Sequence, residues 1–319
     1  MGRILAAWLT LAALLANAQF KRADKAAPEK QQQQQQQPDY VIRSDVRLVR
    51  LLATVKDPSG NLVGDLSKED FKLTDNGVPQ DVAVFERTTA QPLSVSVLVD
   101  TSASTATHLK NEMDSVDRFL RALFQGGNPA DRAALYSFNW QVVLEMGFTR
   151  NLARLESALR KLTSHGGTSL YDALQLAAHN LEDRDGRHVM VVVTDGGDTV
   201  SSVKFQDALE AAQRANAVIY PIVIVPITNG AGRNTGGEHA LQTFASETGG
   251  KVFSAAVGPQ LDRAFDDILR DLRSQYLIGY YPKNIPYSKD KFHRVKVELP
   301  NRTGLRISTR SGYYGDASQ

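Results

Sequence analysis

LSVSVLVDTSAST, residues Leu93 to Thr105, is an apolar, Val-rich run that ends in an aspartate followed by serines at alternate positions. Leu93–Val99 is short, β-branched and apolar on both faces, the pattern of a strand buried in a parallel sheet. Asp100 then falls at the carboxyl end of that strand, where open α/β sheets place their ligand sites. Asp100, Ser102 and Ser104 form D-x-S-x-S, so three oxygen-bearing side chains share one tight loop. A set made only of oxygens suits a hard cation such as Mg²⁺ and not zinc or copper.

Two distant residues belong with this loop. Thr168 stands in SHGGTSLYDAL, a glycine-flanked loop running into a helix, and Asp195 in VMVVVTDGGD, after the apolar strand Val189–Thr194. The five residues Asp100, Ser102, Ser104, Thr168 and Asp195 resemble the metal-ion-dependent adhesion site of the von Willebrand factor type A domain, in that family's chain order and strand context. The resemblance implies that the two serines and the threonine coordinate the metal, and that the aspartates bind it directly or through water. It also implies that the two aspartate-tipped strands are neighbours where strand order reverses, so that Asp100 and Asp195 converge. Relatives often carry Gly between the serines and Met after them; Ala103 and Thr105 stand here instead. Three nearby residues are candidate supports. Asp198 orients a metal-bound water or caps the turn before Thr199; Thr105 adds a hydroxyl, solvated or capping; His165 tunes ligand access or is a loop residue.

The chain has 319 residues, 42% hydrophobic and 23% charged, with a net charge of +2 and no cysteine. These values fit a globular protein with an α/β domain and something smaller. The charge argues against a polyanionic partner, and no basic cluster interleaved with aromatics points to nucleic acid. Without cysteine there are no disulfides and no thiolate nucleophile. Arg3, the apolar run Ile4–Leu15 and Ala16-Asn17-Ala18 read as an export signal cut after Ala18. No later stretch is long and apolar enough to span a membrane. Residues 19–38, with seven consecutive glutamines, read as a disordered tether. The expected location is therefore outside the cytoplasm, in a bacterial periplasm or envelope or secreted.

Residues 39–90 read as a small β-rich module. Val46–Val55 makes a strand, Asp57 to Asn61 a turn, and Leu66–Phe71 a helical turn capped by Ser67. Phe71–Thr74, the turn Asp75-Asn76-Gly77 and Val82–Glu86 read as a hairpin. From 91 to 275 strand and helix alternate. Helices are expected at Leu109–Phe124, Leu152–Leu162, Ser169–Leu181, Phe205–Asn216, His239–Glu247 and Gln260–Ser274. Strands are expected at Ala133–Phe138, Gln141–Met146, Val218–Val225 and Val252–Phe253. This predicts a doubly wound, mostly parallel α/β sheet with helices on both faces. Residues 276–319 turn β again, a C-terminal extension expected to pair with 39–90, its tyrosines Tyr280, Tyr281, Tyr313 and Tyr314 either forming an exposed patch or, the favoured reading, packing between the terminal segments. Together, about residues 45–315 resemble a bacterial family of exported von Willebrand factor A-related proteins.

Mg²⁺ asks for about six oxygens at 2.0–2.1 Å. Three neutral hydroxyls and two carboxylates leave it electrophilic, with one position for a carboxylate from another molecule. The expected function is an exported protein-binding module that captures an Asp or Glu of a partner through Mg²⁺, with Mn²⁺ or Ca²⁺ as alternatives. A second reading is a structural envelope protein whose metal stabilises the fold. A metal-dependent hydrolase is a remote third, because G-x-S-x-G, Walker A and H-E-x-x-H are all missing. Asp100 resembles the nucleophile of haloacid-dehalogenase-type phosphotransferases, but Ser102 stands where that chemistry wants a second acid.

Overall fold

Residues 48–87, 90–225, 235–286, 289 and 291–315 are described in a computed structural model; the expected leader (1–18) and tether (19–38) lie outside them. The chain opens with strands β1 (Val49–Lys56), β2 (Lys72–Asp75), β3 (Val78–Gln80) and β4 (Val84–Glu86). It then alternates: β5 (Leu93–Asp100), α1 (Leu109–Gln125), β6 (Arg132–Phe138), β7 (Val142–Thr149), α2 (Leu152–Leu159) and α3 (Leu170–Glu182). There follow β8 (Arg187–Thr194), α4 (Phe205–Arg214), β9 (Ala217–Ile224), α5 (Thr235–Thr248), β10 (Phe253–Ala255) and α6 (Pro259–Arg273). It closes with β11 (Tyr276–Tyr280), β12 (Phe292–Glu298), β13 (Arg306–Ser308) and β14 (Gly312–Tyr314).

The central sheet has the order β10-β9-β8-β5-β6-β7 and is parallel except for β7, which runs antiparallel to β6 at one edge. All eight residues of β5 are buried, as a strand covered on both faces requires. Alternate residues face opposite layers. Val95, Val97 and Val99 pack with α1, α2 and α6, whereas Leu98 packs with α3, α4 and α5. Val95, Val97 and Val99 also stand beside Val189, Val191 and Val193 of β8. Strand order reverses at β5, so the carboxyl ends of β5 and β8 open a crevice between them.

Two further antiparallel sheets, β13-β1-β11-β4 and β14-β12-β2-β3, combine strands from before and after the central domain. They share one apolar core that includes Leu51, Leu73, Tyr276, Ile278 and Val297. Here the expected hairpin needs correction. β2 pairs with Val78–Gln80 and not with Val82–Glu86. Asn76 and Gly77, at φ 46° and 81°, make the two-residue turn that needs positive φ at both positions. Pro79 is tolerated because β3 is an edge strand. Val84–Glu86 instead pairs with β11, in the other sheet. Ser67 is the cap of the short turn Lys68–Asp70, as expected, and its backbone N–H and hydroxyl donate to Asp70 (2.8 and 3.1 Å).

Candidate functional site

Asp100 ends β5 fully buried. One carboxylate oxygen accepts the backbone N–H of Ser102 at 2.8 Å, the other the hydroxyl of Thr194 at 2.6 Å, so the two neighbouring strand ends are tied through this acid. Burial, with a smaller contribution from the charge of Asp195, pushes its carboxyl up to about 6. The loop after it makes one short helical turn, Ala103–Thr107. Ser102 Oγ lies 3.0 Å from Ser104 Oγ, and Ser104 donates to Asp195 Oδ1 at 3.0 Å. Ser102, Ser104 and Asp195 therefore form one chain of oxygens across the crevice.

Thr168 reaches this edge through its loop. His165 donates its backbone N–H to the Thr101 carbonyl (2.9 Å), and Ala103 donates to the Gly166 carbonyl (3.0 Å). Gly166 has φ 75°, and a Cβ there would stand 2.4 Å from the Trp140 ring, so both backbone and space require glycine. On its far side Thr168 is held by Thr199: its N–H donates to the Thr199 hydroxyl at 2.8 Å and its carbonyl accepts the Thr199 N–H at 2.8 Å. The D-x-S-x-S loop, the glycine loop and the segment after Asp195 are thus one hydrogen-bonded unit. No bond joins the Thr168 hydroxyl directly to the other four residues.

The three supporting candidates take backbone-holding places. Thr105 is buried and donates its hydroxyl to the Ser102 carbonyl at 2.9 Å. His165 is exposed and contributes its backbone. Asp198 accepts the Tyr171 N–H at 3.3 Å and the Ser201 hydroxyl, which makes it a turn and helix-start residue. Sequence reasoning missed Thr194, Asn139 and Glu112. Asn139 donates to the Thr101 hydroxyl (3.1 Å) and accepts the Ser169 N–H on its backbone oxygen (2.6 Å). Glu112 is fully buried on α1, and neither carboxylate oxygen has a hydrogen-bond partner. Burial, then the charges of Asp100 and Asp195, push it up to about 8. The signal was present: Glu112 occupies a position of the buried α1 stripe between Leu109 and Val116, where an apolar residue belongs.

Among the described residues no three His, Cys, Asp or Glu side chains converge as a metal-holding group, so a cation at this edge must draw on hydroxyls too. The donors fit one. Ser102, Ser104 and Asp195 are joined by hydrogen bonds at 3.0 Å, and two hydroxyls beside a carboxylate are the hard oxygen donors that Mg²⁺ takes. Two buried acids with raised protonation, one of them unpartnered, also mark a place short of positive charge. Two large apolar side chains are exposed beside the glycine loop: Trp140 is 54% exposed and Val200 48%, and they flank Gly166 and Gly167 respectively.

A family model described as von Willebrand factor type A domain matches residues 95–197. No curated protein matches the sequence. Among solved structures, the chain is similar to a von Willebrand factor type A protein from Catenulispora acidiphila, at 11% identity and TM-score 0.49 over 85% of this chain and 75% of that one. It is also similar to the vWF domain of the type V pili tip protein Mfa5 from Porphyromonas gingivalis, at 14% identity and TM-score 0.46 over 57% and 95%. A third is the conserved hypothetical protein BatB from Bacteroides thetaiotaomicron, at 16% and 0.46 over 57% and 100%.

Proposed function

From the premise that this chain carries a von Willebrand factor type A domain, we propose that it is a cation-dependent protein-binding module and not an enzyme. Asp100, Ser102, Ser104, Thr168 and Asp195 hold Mg²⁺, or Mn²⁺ or Ca²⁺ in its place, and the cation takes an Asp or Glu carboxylate of a partner protein. The observation that carries this is the chain of hydroxyl and carboxylate oxygens at 3.0 Å spacing across the β5–β8 crevice. When bound, the ion supplies an electrophilic position for an incoming acid. The chain's own residues do the rest: Thr194 and the Ser102 N–H hold Asp100, Thr199 holds the glycine loop, and Trp140 and Val200 offer apolar contact beside the acid.

With residues 1–18 read as a leader cut after Ala18, binding takes place outside the cytoplasm. Residues 39–90 and 276–319 then serve as a base from which the 91–275 domain presents its crevice. Among the described residues no helix is long and apolar enough to cross a membrane.

Calorimetric titration of the full chain with Mg²⁺ and Mn²⁺ tests the proposal. One saturable cation per chain is expected, weakened at least about tenfold in Asp100→Ala, since one charged ligand is removed. An acidic peptide should bind the loaded wild type, lose binding on chelation, and bind more weakly to Trp140→Ala without change in cation affinity. Equal cation binding by wild type and Asp100→Ala would refute the proposal. A cation that raises the melting temperature but brings no acidic ligand would favour the structural reading.

A further inference from the structure

At the opposite end of the central sheet lies a cavity of about 800 Å³, in the range of small-molecule sites. It opens at the amino ends of β8 and β9, where Arg187, His188, Ala217 and Val218 line it, and it is bordered by the start of β1 and the end of β14. β8 spans eight residues between this cavity and Asp195, about 25 Å of extended chain. It is therefore separate from the crevice described above.

Its charge is one-sided. Arg50, Arg187, Arg214, Lys291 and Arg310 line it, and among the described lining residues none is acidic. Arg214 is paired with Glu210 at 2.7 Å. Arg50, Arg187 and Arg310 have no carboxylate within ion-pair distance among the described residues; Arg187 is buried and Arg310 half-buried. Arg187 is 6% exposed; its guanidinium donates to the Leu272 carbonyl and to Gln275, and its Nε has no partner. Arg310 lies over the Tyr313 ring and donates to Asn216 and, at 2.8 Å, to the Arg50 carbonyl; its Nε also has no partner. Burial lowers the Arg187 guanidinium, opposed in part by the charge of the buried Asp131, and pulls Arg310 down to about 10. Each of these two guanidinium groups keeps an Nε–H with no partner, a donor that a bound anion would satisfy. With a net charge of only +2 for the whole chain, this concentration is local and is not a by-product of a basic protein.

We propose that this cavity binds a small ligand carrying at least two oxyanion groups, gripped by Arg50, Arg187 and Arg310. Guanidinium forks match phosphate and carboxylate alike, so the shared chemistry is the oxyanion. The site is larger than a lone phosphate and lies where the terminal strands meet the central domain. A ligand there bridges β1, β8 and β14.

The test is calorimetric titration of the full chain, in metal-free buffer, with citrate and separately with tripolyphosphate. Wild type should bind at least one of them saturably at one per chain; which one binds tells carboxylate from phosphate. Arg310→Gln and Arg50→Gln should each weaken binding at least about tenfold, the loss of one charge-assisted contact. Lys161→Gln, which removes the same charge from an exposed site elsewhere, should leave it unchanged. Arg50 is exposed, so its variant decides the matter if Arg310→Gln folds poorly by circular dichroism. Absence of saturable binding for both probes overturns the proposal, as does an equal effect of Lys161→Gln and the arginine variants.

Discussion

Glu112 is the side chain that the rest of the molecule explains least without a cation. Its carboxyl moves from an ordinary 4.5 up to about 8, through burial first and the charges of Asp100 and Asp195 second. The folded chain thus holds this proton more tightly than the unfolded one does. The group's contribution to stability is therefore greatest below about pH 4.5 and is lost as pH rises through about 8. Asp100, pushed up to about 6, acts in the same direction over a lower window. In chelator, the wild type should melt progressively lower than Glu112→Gln between pH 5 and 8.5, with little difference at pH 5. The gap at the upper end should reach at least about 2 °C, and Mg²⁺ should narrow it, because a cation rewards the ionised acids. Differential scanning fluorimetry across that range reads the effect. Parallel melting curves for the two proteins would mean the buried charge is not felt.

The loops at the carboxyl edge are positioned by elements that meet there, and α3 is the most dependent. Asp172 in its first turn accepts the N–H groups of Ser202 and Val203 at 3.1 and 2.8 Å, clipping the segment after Asp195 to the helix that follows Thr168. Asp172→Ala should cost about 1–2 kcal/mol, from two hydrogen bonds to a charged acceptor at a partly exposed site, read as a lower urea midpoint at unchanged slope. Asp172→Asn, which keeps one acceptor oxygen, should recover part of it. The same elements show what a sequence can and cannot disclose. β5 and β8 were legible because continuous β-branched runs have few other uses, and Asp100, Ser102 and Ser104 because their spacing is local. That Asp100 and Asp195 share a crevice came from resemblance, since strand order is not written in any one stretch. Glu112 was hidden inside an otherwise apolar helical stripe. The β2–β3 pairing was obscured by Pro79, and the true partner of Val84–Glu86, β11, lies about 190 residues on.

Across the molecule, the two ends of the chain are sewn together before either can form a core. β1 lies between β13 and β11, and β2 between β12 and β3, so neither outer sheet exists without residues beyond 275. An ion pair and a backbone hydrogen bond then fasten these sheets to the central domain. Lys56 of β1 pairs with the nearly buried Asp271 of α6 at 2.6 Å, and Ser311 donates its backbone N–H to the Glu247 carbonyl of α5 at 3.1 Å. At the centre of the outer sheets sits Asp75, fully buried. It accepts hydroxyls from Tyr280 at 2.7 Å and Tyr313 at 2.8 Å and faces His293 Nδ1 at 3.2 Å. One carboxylate from the amino-terminal segment thus satisfies three groups from the carboxyl-terminal one, and it raises both tyrosine hydroxyls further above their usual range, beyond the effect of burial. Asp75→Ala strands those groups without an acceptor and opens space beneath them. The expected loss is about 3 kcal/mol, the cost of breaking a buried polar cluster from one side. Hydrogen exchange should locate it: amides of β1, β2, β11 and β12 lose protection, while β5 and β8, covered by helices on both faces, keep theirs. If instead all strands lose protection together, the outer sheets and the central sheet unfold as one cooperative unit, and the base that presents the crevice is inseparable from it. An Asp75→Ala protein that melts like the wild type would show that the cluster is not what joins the two ends.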